Sequence, residues 1–315
     1  ILSNKVESYN PFHLYVKELP GWDGVDRVTP LLLRVSDNKI WLRGGRCWLR
    51  AMLSQWSGEE RLHANVLTPV LISGKQGLSK STFCRLLPDS LRHYFIDNLN
   101  LTAGSSPEKK LVKNGLINLD EFDKIKESQQ ATLKNLLQMV NVPVFRGKRL
   151  GWVNESRLAS FIATTNVYQV LIDSTGSRRF LCVEVLKPIS EEPLEHKQIY
   201  AQLKEELKSG APDYLNKEEE KALQKHNKAY YRQSLLEDVF HCCFRHPLET
   251  EKGIWLTTAE IFQVMRKFNS AALKEVSARQ LGLKLSAMGY MAKHTSFGNR
   301  YYVFNLSAEK KEVSL

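Results

Sequence analysis

Residues 70–87 read VLISGKQGLSKSTFCRLL, and the fold turns on this stretch. The apolar run Val70, Leu71 and Ile72 suits a buried parallel strand. A glycine-rich turn follows, and Lys80-Ser81-Thr82 opens a short helix that has to end near Pro88. Strand, turn and helix N-terminus in this order make a phosphate cradle, because the turn's N–H groups and the positive helix end face an anion. The expected cradle is Gly74, Gln76, Gly77, Ser79, Lys80, Ser81 and Thr82, with Lys80 reaching the outer phosphates of ATP and the Ser81 hydroxyl on Mg²⁺. One position departs from G-x-x-x-x-G-K-[ST], since Ser79 stands at the second glycine. If residue 79 needs a positive φ, the serine costs roughly 1–2 kcal/mol of strain. Gly77, two residues earlier, offers relief from crowding.

Two further strands carry the chemistry. Gly115 to Phe122 (GLINLDEF) is mostly apolar, interrupted by Asn118, and ends in adjacent carboxylates. Asp120 there is expected to hold Mg²⁺ through water and Glu121 to polarise the attacking water. Leu158 to Asn166 (LASFIATTN) is a second buried strand, ending in Asn166 where a sensor touches the γ-phosphate or the lytic water. Taken singly these are a strand end, a cap and a turn residue; together, in this order, they predict a nucleotide hydrolase. Arg178 and Arg179, in the loop before the apolar strand Leu181 to Leu186, are candidate arginine fingers, with structural ion pairing as the alternative. A finger that works between subunits requires an oligomer, most simply a ring.

The chain has 315 residues, room for two or three domains, and no apolar run of membrane-spanning length. Its five cysteines are scattered without metal-ligand spacing, which predicts a reducing compartment and no zinc site. No targeting or lipidation motif is read, so a cytoplasmic location is expected, and Ile at position 1 leads us to expect a longer parent polypeptide. A net charge of +11 favours a polyanionic partner.

The order of segments predicts a helical domain at 1–67, an α/β core at 68–188, a charged helical connector at 189–233 and a third domain at 234–315. Trp41, Trp48 and Trp56 fall near one helical face and are expected in the core. Arg43, Arg46 and Arg50 lie on other faces, as a solvated surface or as a nucleotide- or subunit-contacting one. Val144 to Val153 (VFRGKRLGWV) reads as a hairpin lifting Arg146, Lys148 and Arg149 into solvent, either as a soluble tip or in a ring's pore, tracking a phosphate backbone. Beyond 234, capping boxes at Thr257/Glu260 and Ser277/Gln280 start helices, and a β-hairpin follows. That is the order of a winged helix, built for duplex DNA or for protein docking.

Read together, Gly21-Trp22-Asp23-Gly24-Val25-Asp26-Arg27, the 74–82 loop, Leu119-Asp120-Glu121-Phe122, Ala163-Thr164-Thr165-Asn166 and Thr175-Gly176-Ser177-Arg178-Arg179-Phe180 resemble the virulence-associated protein E family. The resemblance runs from about residue 8 to 188. It implies an AAA+ ATPase of the superfamily 3 helicase type, found in phages and mobile elements and often fused to or encoded beside a primase. It also implies Lys80 and Ser81 on phosphates and Mg²⁺, Asp120 and Glu121 on metal and water, Asn166 as sensor and Arg178 or Arg179 as finger. The function it implies is an ATP-driven translocase on single-stranded or forked DNA, working as a homo-oligomeric, hexameric ring without a membrane partner. The alternative is an ATP-binding scaffold or replication initiator with little hydrolysis.

Overall fold

The computed structural model describes residues 9–59, 61–102, 105–148, 150–172, 177–232, 235–248, 250–274, 276–296 and 298–306. The chain divides into two compact units, Ile1–Tyr231 and Arg232–Leu315.

The first unit opens with helices α1 (Pro11–Lys17), α2 (Val28–Leu33) and α3 (Lys39–Trp56). The Asn10 side chain accepts the N–H groups of Phe12 and His13 to start α1. There follow β1 (Thr68–Ile72), α4 (Lys80–Phe83), β2 (Phe95–Asp97), α5 (Glu108–Leu111), β3 (Leu116–Leu119) and α6 (Glu127–Gln138). An antiparallel hairpin, β4 (Asn141–Phe145) and β5 (Trp152–Ser156), leads into β6 (Ser160–Thr165) and β7 (Phe180–Glu184). Strands β2-β3-β6-β1-β7 lie in that order in one sheet, and every pair is parallel.

Side chains on the sheet alternate between two cores, as the two-residue period requires. Leu71, Ile162, Leu181 and Val183 face a core shared with α1, α2, α3 and two later helices, α7 (His196–Lys208) and α8 (Lys217–Asn227). Val70, Ile72, Ile117, Phe161, Ala163 and Cys182 face a core shared with α6 and the hairpin root. A boundary at 67/68 and a separate connector at 189–233 therefore do not appear as units: Trp41, Trp48 and Trp56, each at most 1% exposed, share one core with Tyr200, Leu203 and Leu223. Gly44 lets α3 lie close against β7, since a Cβ there would lie 2.8 Å from the Leu181 side chain.

The second unit comprises α9 (Leu235–Cys243), β8 (Phe244–Arg245), β9 (Ile254–Thr257), α10 (Thr258–Phe268), α11 (Ala278–Ala287), β10 (Ala292–Thr295) and β11 (Gly298–Asn305). Both expected capping boxes form, Thr257 with Glu260 and Ser277 with Gln280. Strand β11 pairs antiparallel with β8, β9 and β10, over a core of Phe240, Phe244, Ile261, Met265, Leu281 and Leu285. The sequence reading had the last hairpin but neither β8 nor β9. Two residues are too few to carry a period, and β9 runs directly into α10.

Candidate functional site

A cleft of about 410 Å³ opens where β1, β3 and β6 end, and Gln76, Gly77, Ser79, Lys80, Ser81 and Thr82 line one side of it. Open α/β sheets bind ligands at the carboxyl ends of their strands. Ser79 is left-handed, with φ 58° and ψ 25°, just ahead of α4, and Gly77 is left-handed too, with φ 75°. The serine thus carries the strain anticipated for it. Gly74 is required for a different reason: a Cβ there would meet the Tyr168 ring at 2.9 Å. The Tyr168 hydroxyl in turn donates to Glu184 on β7 at 2.9 Å.

Lys80 is the centre of the cleft. Its ammonium donates to the Ser73 hydroxyl and, at 2.9 Å, to the Asn166 side-chain oxygen at the end of β6. The Ser73 hydroxyl in turn donates to the Lys75 carbonyl at 2.6 Å. Burial pulls the Lys80 ammonium below its ordinary value, while the charge of Asp120 opposes the shift.

The acids on the facing wall are held by the sensor strand. Thr164 donates its hydroxyl to Asp120, and Thr165 donates to Asp123 at 2.6 Å while accepting the Val167 N–H. Glu121 is left-handed, with φ 52°, and its carboxylate pairs with Lys124 at 2.6 Å. Asn118, fully buried in β3, donates its amide to Asp97 on β2 at 2.9 Å, so the polar break in that strand serves to tie two strands together. The sequence reading missed Ser73, Asp123, Thr164, Thr165 and Tyr168. Its available signal was the spacing: Asp123 lies one turn beyond Asp120, and the two threonines directly precede Asn166.

The remaining site candidates lie elsewhere. Phe180 pairs with Thr68, the first residue of β1, so Arg178 and Arg179 stand at the opposite end of the sheet from the cleft. Arg178 pairs with Glu220 of α8 at 3.2 Å. The hairpin also rises from that opposite end, where Arg157 N–H bonds the Val140 carbonyl at 2.9 Å. Arg146 is exposed, as expected, and in addition pairs with Glu155 across the hairpin, one contact measuring 2.5 Å. The two-residue period continued past the end of β4 puts Arg146 on the face of the hairpin that carries Glu155. Lys148 is exposed, and Arg149 lies outside the described residues. Phe145 and Trp152 pack as tilted rings, centroids 5.6 Å apart, on the hairpin, 49% and 71% exposed.

The arginines of α3 form ion pairs within the first unit, with Arg43 and Arg46 half-buried. Arg43 pairs with Glu219, and Arg46 with Glu206 at 2.6 Å and Asp26 at 3.5 Å, while Arg50 is 4% exposed near Glu206. The 21–27 motif is a structural knot rather than part of the cleft. Asp23 and Arg27 form a two-pronged pair, Arg27 reaches Glu195 at 3.0 Å, and Asp26 accepts from Val28, Thr29 and Gln202.

Fold and site together define a mixed α/β protein with a parallel sheet and a lysine-centred polar cleft at the strand ends. The chain belongs to the virulence-associated protein E-like family, whose domain model matches residues 16–232. Residues 233–303 match a domain of unknown function from B. Theta, DUF3874. No curated protein matches the sequence. Among solved structures, the apo C-terminal region (305–718) of NrS-1 is similar at 14% identity and a TM-score of 0.44, covering 92% of this chain and 77% of that one. An A-form apo structure of the same region gives 15% identity, a TM-score of 0.44 and coverages of 92% and 78%. Among the described residues, no helix is long and apolar enough to cross a membrane.

Proposed function

We propose that the first unit is a P-loop ATPase core of the AAA+, superfamily 3 helicase-like kind, and that the protein is an ATP-driven translocase on single-stranded DNA in the replication of a phage or mobile element. The observation that carries this reading is the Lys80–Asn166 hydrogen bond, which joins the phosphate loop on β1 to the sensor position on β6 inside a cleft that Asp120 and Glu121 also line. The strand order β2-β3-β6-β1-β7 supports it, because it sets the sensor strand between the loop strand and the acid strand.

The residues fit ATP with Mg²⁺. The loop from Gln76 to Thr82 offers N–H groups to phosphates, and the Lys80 ammonium, whose charge burial disfavours, gains an anionic partner in place of Asn166. Ser81 directly and Asp120 through water would hold Mg²⁺, which would supply charge neutralisation for the phosphates. Glu121 orients the attacking water once it leaves Lys124, and Asn166 reads the γ-phosphate. Arg178 and Arg179, at the far end of their own sheet, act on a neighbour's nucleotide, which makes the active form a homo-oligomeric ring, taken as a hexamer. The hairpin's Lys148 and Arg149 contact the DNA backbone, a primase domain or protein is the natural companion, and the second unit is a winged-helix-like domain. The test is a forked duplex with a labelled strand: release on adding ATP and Mg²⁺, absent in Lys80→Ala, is expected. No release and no ATP consumption would overturn the motor.

A second reading is a nucleotide-binding scaffold or initiator with little turnover. It draws on two strained residues in one cleft, Ser79 and Glu121 at positive φ, and on the Glu121–Lys124 pair that turns the water-activating carboxylate aside. Tight ATP binding without hydrolysis, DNA present or absent, would select it.

A further inference from the structure

The second unit has an open sheet face that the motor reading does not use. On β11, Tyr301 and Val303 are buried at 1% and 0%, so Arg300, Tyr302 and Phe304 point the other way. Register brings Lys293 of β10 directly opposite Arg300, and Thr257 of β9 opposite it on the other side. Two cations facing each other across adjacent strands repel, and such pairs destabilise a sheet unless an anion sits between them. Glu260 is the neighbouring acid that feels Arg300, yet its carboxylate is already engaged by the Thr257 N–H and hydroxyl. The Arg300 Nε is buried without a hydrogen-bond partner. One step further along the same face, Trp255 pairs with Tyr302, their rings 5.1 Å apart, and Trp255 stays 37% exposed. Arg245 then lies over the Phe304 ring at 4.2 Å, its charge met by Glu251.

A cationic pair and an aromatic pair therefore succeed each other two residues apart along β11, a separation of about 7 Å. One nucleotide of an extended strand spans that distance, with its phosphate at the cations and its base on the rings. We propose that the outward face of β9, β10 and β11 binds single-stranded nucleic acid, Lys293 and Arg300 taking a phosphate and Trp255 with Tyr302 stacking a base. Single strands fit better than duplex because stacking needs a base face that a duplex hides. The proposal stands apart from the hairpin and from the cleft, and its failure leaves the motor reading as it was.

The test uses the full chain carrying Lys148→Ala, so that the hairpin contributes less, and a labelled oligothymidine with 4-thiothymidine for crosslinking. Crosslinks mapped by mass spectrometry to Trp255 or Tyr302 are expected. Lys293→Glu sets an opposite charge across from Arg300, so melting temperature holds or rises while the slope of log affinity against log salt falls by about 0.7 or more. Trp255→Ala lowers affinity about tenfold and leaves that slope unchanged. The proposal is overturned if both variants bind as the parent does, if every crosslink lies outside β9–β11, or if a duplex of equal length competes equally well. Loss of an acidic protein partner in Lys293→Glu, with oligothymidine binding intact, would assign the face to protein instead.

Discussion

A serine held at φ 58° pays a strain that glycine would avoid, and Ser79 does so at the mouth of the cleft. Ser79→Gly is expected to stabilise the protein by up to about 1 kcal/mol, the relief being partly offset by the greater freedom of glycine in the unfolded chain. A melting curve that shifts down would contradict this. At Glu121 the expectation is kinetic. Lys124→Ala frees the carboxylate from an exposed pair that solvent screens, so stability barely moves and ATP turnover rises; unchanged or slower turnover would remove Lys124 from the account. At this scale the sequence was informative wherever spacing sets geometry. The strain at Ser79 followed from a glycine position, and the gathering of Lys80, Asp120, Glu121 and Asn166 followed from strand order. The strain at Glu121 did not, because no residue type flagged a positive φ there.

Two elements are fixed by single charged groups. Arg157 lies 2% exposed between the hairpin and β6, and its guanidinium donates to the carbonyls of Leu136 and Leu137 at the end of α6, of Ala159 and of Asn65. Burial, followed by the nearby charge of Arg61, pushes it down to about 9. Arg157→Met takes a charged donor away from each of these carbonyls and is expected to cost about 3 kcal/mol, measured by denaturant unfolding. Asp26 holds the start of α2 to α7. Burial opposes its ionisation, but hydrogen bonds from Gln202 and Thr29 and the charge of Arg46 prevail and keep the carboxyl well below its ordinary 3.8. A carboxylate depressed in the folded state stabilises above its unfolded value, so this contribution is full above about pH 4 and is lost as the pH falls toward the folded value. Asp26→Ala should cost about 1–2 kcal/mol at neutral pH and flatten the acid limb of the stability profile. An unaltered acid limb would place the sensitivity elsewhere. Neither role was legible beforehand. The 21–27 motif reads equally as site or scaffold until Gln202 and Glu195, some 170 residues away, are brought beside it, and the α3 arginines likewise needed carboxylates that only the fold supplies.

For the whole molecule, the parallel sheet was legible because buried strands are short apolar runs ending in polar residues, and each such run found its place. The merging of 1–67 and 189–231 with the sheet was not, since charge along a helix hides the narrow stripe, Ile199, Tyr200 and Leu203, by which it packs. The position of Arg178 and Arg179 at the far end of the sheet has a consequence for assembly. Mixing Arg178→Ala with Lys80→Ala subunits should restore part of the activity that each lacks alone, and no recovery at any ratio would make the arginines structural, as the Arg178–Glu220 pair already allows. The most direct measurement is steady-state ATP hydrolysis with and without single-stranded DNA, with Lys80→Ala as the blank. The account predicts turnover that rises with DNA and vanishes in the blank; turnover no higher than the blank in both conditions would contradict it.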